Sequence, residues 1–208
     1  VVGSNPTPAP KSETALLQSG AVLLLSSTLY TRPNGDARMY ALQIAVMKGR
    51  GGILSAVSHY ARMFSAVGVR SATLYRGPAP DVVRKTGALI EAPALLTSPL
   101  FALSPRAQLR RAILEAGGGA APDIAIVHSD LGLSAAKLLF PKMRTAAICH
   151  SDKLKRKGGA DLIVALNAQQ ADAARSALPN VRVAQLGNPY VAPPPPALPR
   201  GDCPRLNF

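Results

Sequence analysis

From Tyr40 onward the chain alternates between short apolar runs and stretches whose apolar residues recur at helical spacing. Leu42 to Met47 reads as a continuous apolar run, the pattern of a strand buried on both faces of a sheet. Ile53, Val57, Tyr60, Ala61, Phe64 and Val67 then share one face of a helix over Ile53 to Val67, which Gly68 ends. Ser71 to Tyr75 is the next strand, broken by Arg76-Gly77-Pro78. A short helix over Asp81 to Thr86 and a short strand over Ala88 to Glu91 follow. Pro93 to Pro105 reads as a loop. Its end, Ser104-Pro105, suits an N-cap followed by proline at the first helical position. The helix so opened, Arg106 to Glu115, stops at Gly117-Gly118-Gly119.

The second half repeats the pattern. Strands are expected at Ile124 to His128, Arg144 to Cys149, Asp161 to Leu166 and Val181 to Leu186. Helices are expected at about Leu131 to Phe140 and at Ala168 to Leu178, the latter capped by Asn167. Strand–helix alternation of this kind implies an α/β fold, a doubly wound, Rossmann-like parallel sheet with right-handed crossovers. In such a sheet the ligand crevice lies outside the carboxyl ends of the strands.

The flanks differ from this body. Residues 1 to 38 are irregular and are expected to be an upstream extension or a poorly packed arm, with the first ten residues disordered. The chain does not begin with Met, and Met39 stands just before the regular pattern. Pro193 to Pro196 forms a stiff polyproline spacer, so residues 192 to 208 read as linker and tail around a domain over 39 to 191.

Composition adds limits. The chain has 208 residues, enough for one good-sized core, and 48% of them are hydrophobic. Its formal charge of +13 admits phosphate, anionic lipid or nucleic acid as partners, although coding bias also enriches Arg and Ala. Trp is absent and aromatic residues make up 4%, too few for a base-stacking surface, so nucleic acid is not expected. The two cysteines, Cys149 in an apolar strand and Cys203 in the tail, make neither a disulfide framework nor a zinc site, and the default setting is the cytoplasm. Ala21 to Tyr30 is apolar but shorter than the roughly 18 residues that a membrane span needs.

Candidate chemistry sits where the strands end: Lys48 to Gly52, Arg76-Gly77, His128 to Asp130, His150-Ser151, Asn167 and Gly187-Asn188. Two of the three histidines, His128 and His150, are among these residues. The first loop offers glycines and the cations Lys48 and Arg50 at a helix N-terminus, which suits a phosphate or diphosphate. It is not a dinucleotide fingerprint. After Gly49 and Gly51 the third glycine position holds Leu54, and the second strand ends in Tyr75-Arg76 where a ribose-binding acid belongs. Nor does a Walker A sequence occur. Each residue also has a plainer reading. Gly51 and Gly52 fit a tight turn with positive φ, His128 and His150 fit caps of the sheet, and Asn188 fits a turn before Pro189. Lys153, Lys155, Arg156 and Lys157 fit a solvated face, or else an anionic membrane surface.

Four segments in order carry a resemblance. Lys48-Gly49-Arg50-Gly51-Gly52 and its helix look like the "GG" loop of retaining glycosyltransferases of the GT-B fold, the glycosyltransferase family 4 group. Pro122 to His128, PDIAIVH, resembles that family's P-D-V-(V/I)-H-x-H segment, with His128 at its second His and Ile126 in place of its first. Ala160 to Asn167, ADLIVALN, resembles its ADxVIAVS strand, and Val181 to Val191, VRVAQLGNPYV, resembles the V-x-V-I-P-N-G-V-D exit from its N-terminal domain. The likeness runs from Leu42 to Val191.

The resemblance implies sugar transfer from a nucleotide-sugar donor to a sugar or lipid-linked acceptor, with retention at the anomeric carbon. The nucleotide-sugar is a substrate, and neither a metal nor another cofactor is implied. Carried over, Gly51 and Gly52, beside Arg50 and Lys48, become the donor-diphosphate loop, and His128 becomes the active-site histidine. Ser129, Asp130, His150 and Asn188 stand at the strand ends as further cleft candidates. The family's C-terminal domain carries an E-x7-E motif; the glutamates here are Glu13, Glu91 and Glu115, so that motif is missing. The expectation is an acceptor-side N-terminal domain that needs a C-terminal donor-binding domain or a partner chain. The alternative is a non-catalytic Rossmann-like binding or partner protein.

Overall fold

The structure, a computed structural model, describes residues 39–46, 52–85, 87–92, 106–151, 153–154 and 156–187. The expectations for residues 1–38, the loop over 93–105 with its Ser104-Pro105 cap, Lys48, Arg50, Gly51, Asn188 and the 192–208 tail lie outside these residues.

Among the described residues twelve elements follow the apolar pattern. They are β1 Tyr40–Ala45, α1 Gly52–Ala66, β2 Arg70–Arg76, α2 Asp81–Arg84, β3 Ala88–Ala92, α3 Arg106–Ala116, β4 Ile124–Val127, α4 Asp130–Leu139, β5 Arg144–Ile148, β6 Leu162–Ala165, α5 Ala168–Ala177 and β7 Arg182–Gln185, alternating strand and helix except between β5 and β6. All strands pair in parallel in one sheet of order β3-β2-β1-β4-β5-β6-β7. The chain is a doubly wound, Rossmann-like α/β fold. The order reverses between β1 and β4, which makes their carboxyl ends the switch point.

Helices cover both faces. Leu42, Ile44, Leu74, Val127 and Ile163 belong to the larger core, with Leu109 and Ile113 of α3 and Leu133, Ala136 and Leu139 of α4. On the opposite face Ala41, Ile126 and Ile148 share a core with Tyr60, Met63 and Phe64 of α1. Truncating one such side chain, Phe64→Ala for instance, costs about 3–5 kcal/mol. Gly132 allows close docking of α4, since a Cβ there would stand 2.9 Å from Val127 Cγ1 and 3.0 Å from Ile44 Cγ2. That contact fixes the start of α4 against the ends of β1 and β4. Among the described residues no helix joins β5 to β6.

Two local expectations change. β1 starts at Tyr40 rather than Leu42, because the Tyr40 amide donates to Asp123 Oδ2 and its hydroxyl to the Ile113 carbonyl, each at 2.9 Å. Gly52 has no positive φ; it is the first residue of α1, and among the described residues nothing lies within 4 Å of where its Cβ would be. Neither backbone conformation nor packing requires glycine there.

Candidate functional site

Alternation along the strands places four polar side chains on the α1 face. His128 directly follows β4, and its amide donates to the Ile44 carbonyl at 3.0 Å, extending the ladder by one residue. Its ring therefore points the same way as Ile126, toward α1, where it meets the Tyr60 ring edge to face at 5.5 Å. His150 follows β5 by two residues and lies on the same side, its ring edge to edge with that of His128, centroids 5.3 Å apart and planes within 20°. Gln43 of β1 and Thr73 of β2, register partners, complete the row.

These four form one hydrogen-bonded line across the sheet. His128 Nε2 is 3.1 Å from Gln43 Oε1, and His128 Nδ1 is 3.1 Å from His150 Nε2. Gln43 Nε2 in turn reaches Thr73 Oγ1 at 3.5 Å. With the amide in that orientation Gln43 Oε1 is an acceptor, so His128 carries its proton on Nε2. Nδ1 is then the acceptor for the Nε2–H of His150. A neutral His150 in this tautomer keeps a lone pair on Nδ1, which has no hydrogen-bond partner among the described residues.

The electrostatics keep the pair neutral. Burial, and then the neighbouring His150, hold the His128 pKa down to about 3. Burial, and then the Lys157 ammonium, hold that of His150 down to about 4. A desolvated imidazolium loses its hydration without gaining a counter-charge, so the neutral form wins. Lys157 is itself buried, at 4% exposure, against the expectation of a solvated face; Lys153 and Arg156 are exposed. Its Nζ pairs with Asp130 Oδ1 at 2.5 Å. Asp130 is the first residue of α4, where the helix dipole also favours a carboxylate.

The structure thus brings His128, Ser129, Asp130 and His150 together at the carboxyl ends of β4 and β5. Ser129 precedes α4 in extended conformation, its hydroxyl makes no cap bond, and its Oγ is buried without a partner among the described residues. Gly52 opens α1, the helix that carries Tyr60 onto His128. Asn167 stands apart as a helix cap, its side chain accepting from the Gln170 amide at 2.8 Å. Lys48, Arg50, Gly51 and Asn188 lie outside the described residues. His128 is 2% exposed with both ring nitrogens engaged, so a ligand in the crevice meets His150 first.

Gln43 and Thr73 are the members that sequence reasoning missed. Gln43 was hidden inside the run taken as continuously apolar. The available signal was that an amide inside a strand buried on both faces demands a polar partner. Among the described residues, no cluster of three His, Cys, Asp or Glu side chains is placed to hold a metal ion, and no helix is long and apolar enough to cross a membrane.

No protein-family model matches the sequence, and no curated protein sequence matches it. Several solved structures are similar in outline. HepE from Anabaena, in complex with UDP and glucose, superposes with a TM-score of 0.49 at 12% identity over 73% of this chain and 44% of its own. The lipopolysaccharide outer core galactosyltransferase WaaB gives 0.46 at 13% over 66% and 42%. A sucrose-phosphate synthase from Thermosynechococcus elongatus gives 0.42 at 14% over 70% and 86%. The chain spans less than half the length of the first two. At these scores and identities the likeness assigns no activity or ligand to this chain.

Proposed function

We propose that this chain is the acceptor-side, N-terminal domain of a GT-B glycosyltransferase of the family 4 type. It would act on a nucleotide-sugar donor and a sugar or lipid-linked acceptor, with retention at the anomeric carbon. The domain would span residues 39 to 191, with a C-terminal domain or partner chain gripping most of the nucleotide. Transfer breaks the bond from the anomeric carbon to the donor diphosphate oxygen and forms one to an acceptor oxygen.

One observation carries this reading. A neutral His150, fixed by His128 and Gln43, keeps an Nδ1 lone pair at the carboxyl end of β5, one strand from the switch point. Such a group accepts a hydrogen bond from a hydroxyl and has no charge with which to hold an anion. The anion is better served by the N-terminus of α1, where Gly52 leaves open space. A hydroxyl acceptor and a helix N-terminus at the same end of the sheet suit a sugar joined to a diphosphate. In this arrangement His150 touches the sugar and His128 is a positioning residue.

The test is sugar-nucleotide hydrolysis and transfer, measured for this chain and for a form extended through the downstream reading frame. Activity is expected in the extended form. His150→Ala and His128→Ala should each lower its turnover at least tenfold, about 1.4 kcal/mol of transition-state stabilisation. Unchanged kinetics in both variants would remove the pair from the site.

The complete engagement of the His128 ring supports a second reading, a non-catalytic Rossmann-like binding module. It predicts no turnover in the extended form, with nucleotide-sugar binding intact. Exposed Lys153 and Arg156 fit a setting on an anionic membrane surface, which predicts salt-sensitive binding to anionic vesicles.

A further inference from the structure

The opposite end of the sheet holds an open cleft of about 570 Å³ between the starts of β4 and β5 and the end of α4. Its volume is within the range of small-ligand sites. The lining is divided. Pro122, Phe140 and Met143 are buried and give an apolar floor, while Arg110, Lys142 and Arg144 are exposed around it. The Arg110 guanidinium lies 5.3 Å from the Phe140 ring centroid, so the ring braces one cation over the floor. Among the described lining residues the one carboxylate is Asp123, which accepts a hydrogen bond from the Tyr40 amide at 2.9 Å. Lys142 and Arg144 have no ion-pair partner among the described residues, in contrast to Lys137, which reaches Asp161 at 3.7 Å.

We propose that this cleft is a second binding site, for an amphiphilic anion: a phosphate or carboxylate that bears an apolar chain or ring. The anionic head would lie between Lys142, Arg144 and Arg110, and the apolar part would cover Phe140, Pro122 and Met143. Either half alone is a weak ligand. An inorganic anion leaves the floor wet, and a neutral alcohol leaves the cations unpaired.

Hexyl phosphate, below any micellar concentration, is the probe, and isothermal calorimetry on the full chain is the readout. Saturable binding is expected, at least tenfold tighter than that of inorganic phosphate or hexanol. It should weaken at least tenfold in Lys142→Gln/Arg144→Gln and fall as salt rises. The control is Arg62→Gln/Lys85→Gln, which removes the same charge from exposed positions on α1 and just after α2. It should bind as the unaltered chain does. Equal loss in both double variants would mean attraction by net charge, and inorganic phosphate binding as tightly as hexyl phosphate would mean a simple anion site. Either outcome, or no saturable binding, overturns the proposal. A second arm uses vesicles with and without phosphatidic acid. Anionic vesicles that compete with hexyl phosphate would place the head on a lipid; vesicles that do not compete, whether or not they bind elsewhere, would leave the site to a free amphiphile.

Discussion

The two ends of the parallel sheet solve the problem of polar groups in opposite ways. At the carboxyl ends, the polar side chains of β1, β2, β4 and β5 are sunk under α1 and tied to one another. His128 is 2% exposed and Gln43 fully buried, and the nearby ammonium of Lys157 is matched by Asp130. At the amino ends, Lys142, Arg144 and Arg110 stand in water over an apolar floor, with no carboxylate drawn in to pair with Lys142 or Arg144 among the described residues. Both ends carry several polar groups; what differs is desolvation. A buried group must find its partner inside the fold, so its geometry is set before any ligand arrives. An exposed cation keeps its hydration and takes whatever partner comes.

The comparison breaks first at the buried ion pair. Asp130→Asn leaves the Lys157 ammonium buried beside an amide in place of its counter-charge. That should cost about 3 kcal/mol or more, read as a lower midpoint of urea unfolding. The same change in the exposed pair, Asp172→Asn opposite Arg175 at 2.8 Å, should cost no more than about 0.5 kcal/mol. Equal costs would mean that burial of Lys157 does not matter to the fold.

The histidine pair gives a pH signature that the amino end lacks. Both side chains titrate near 6.5 when unfolded and at about 3 and about 4 when folded. Between pH 6.5 and 4 the unfolded chain takes up protons that the native chain refuses, so stability falls as pH drops through that window. Above pH 6.5 the pair is neutral in both states and adds no slope. One proton contributes at most about 1.4 kcal/mol per pH unit. His128→Gln should flatten the stability curve there relative to the unaltered chain. Carboxylates that titrate at lower pH are common to both proteins and cancel in the difference. Parallel curves would show that His128 is not held neutral by the fold.

How far the sequence exposes this contrast depends on the periodicity of each element. The strands and helices were legible because buried parallel strands are short apolar runs and helices return every third or fourth residue. The same property hid the site's interior. A strand buried on both faces has no polar and apolar sides, so nothing in LQIAV shows that Gln43 faces α1 while Leu42 and Ile44 face α4. His128 and His150 were visible as strand-ending residues. That they meet edge to edge, and that His150 is the outward one, depends on the β4–β5 register of Val127 with Ala147. Lys157 was misread because it belongs to a basic run. Its burial comes from Asp130, far back in the chain, and from a β5–β6 connection with no described helix. The cleft at the amino ends was not legible at all, because Arg110, Pro122, Phe140 and Arg144 converge only once α3 and α4 pack on one face.

The smallest effect sharpens the comparison from the other side. If the amino-end cations are free of structural duty, Lys142→Gln/Arg144→Gln should change stability by no more than about 0.5 kcal/mol. Urea unfolding at two salt concentrations is the measurement. The small difference should be unchanged, or should favour the variant at low salt, where removing two like charges from a chain of +13 relieves repulsion. A loss that approaches that of Asp130→Asn would mean that the rim is as built-in as the buried pair, and the two ends would no longer differ in kind.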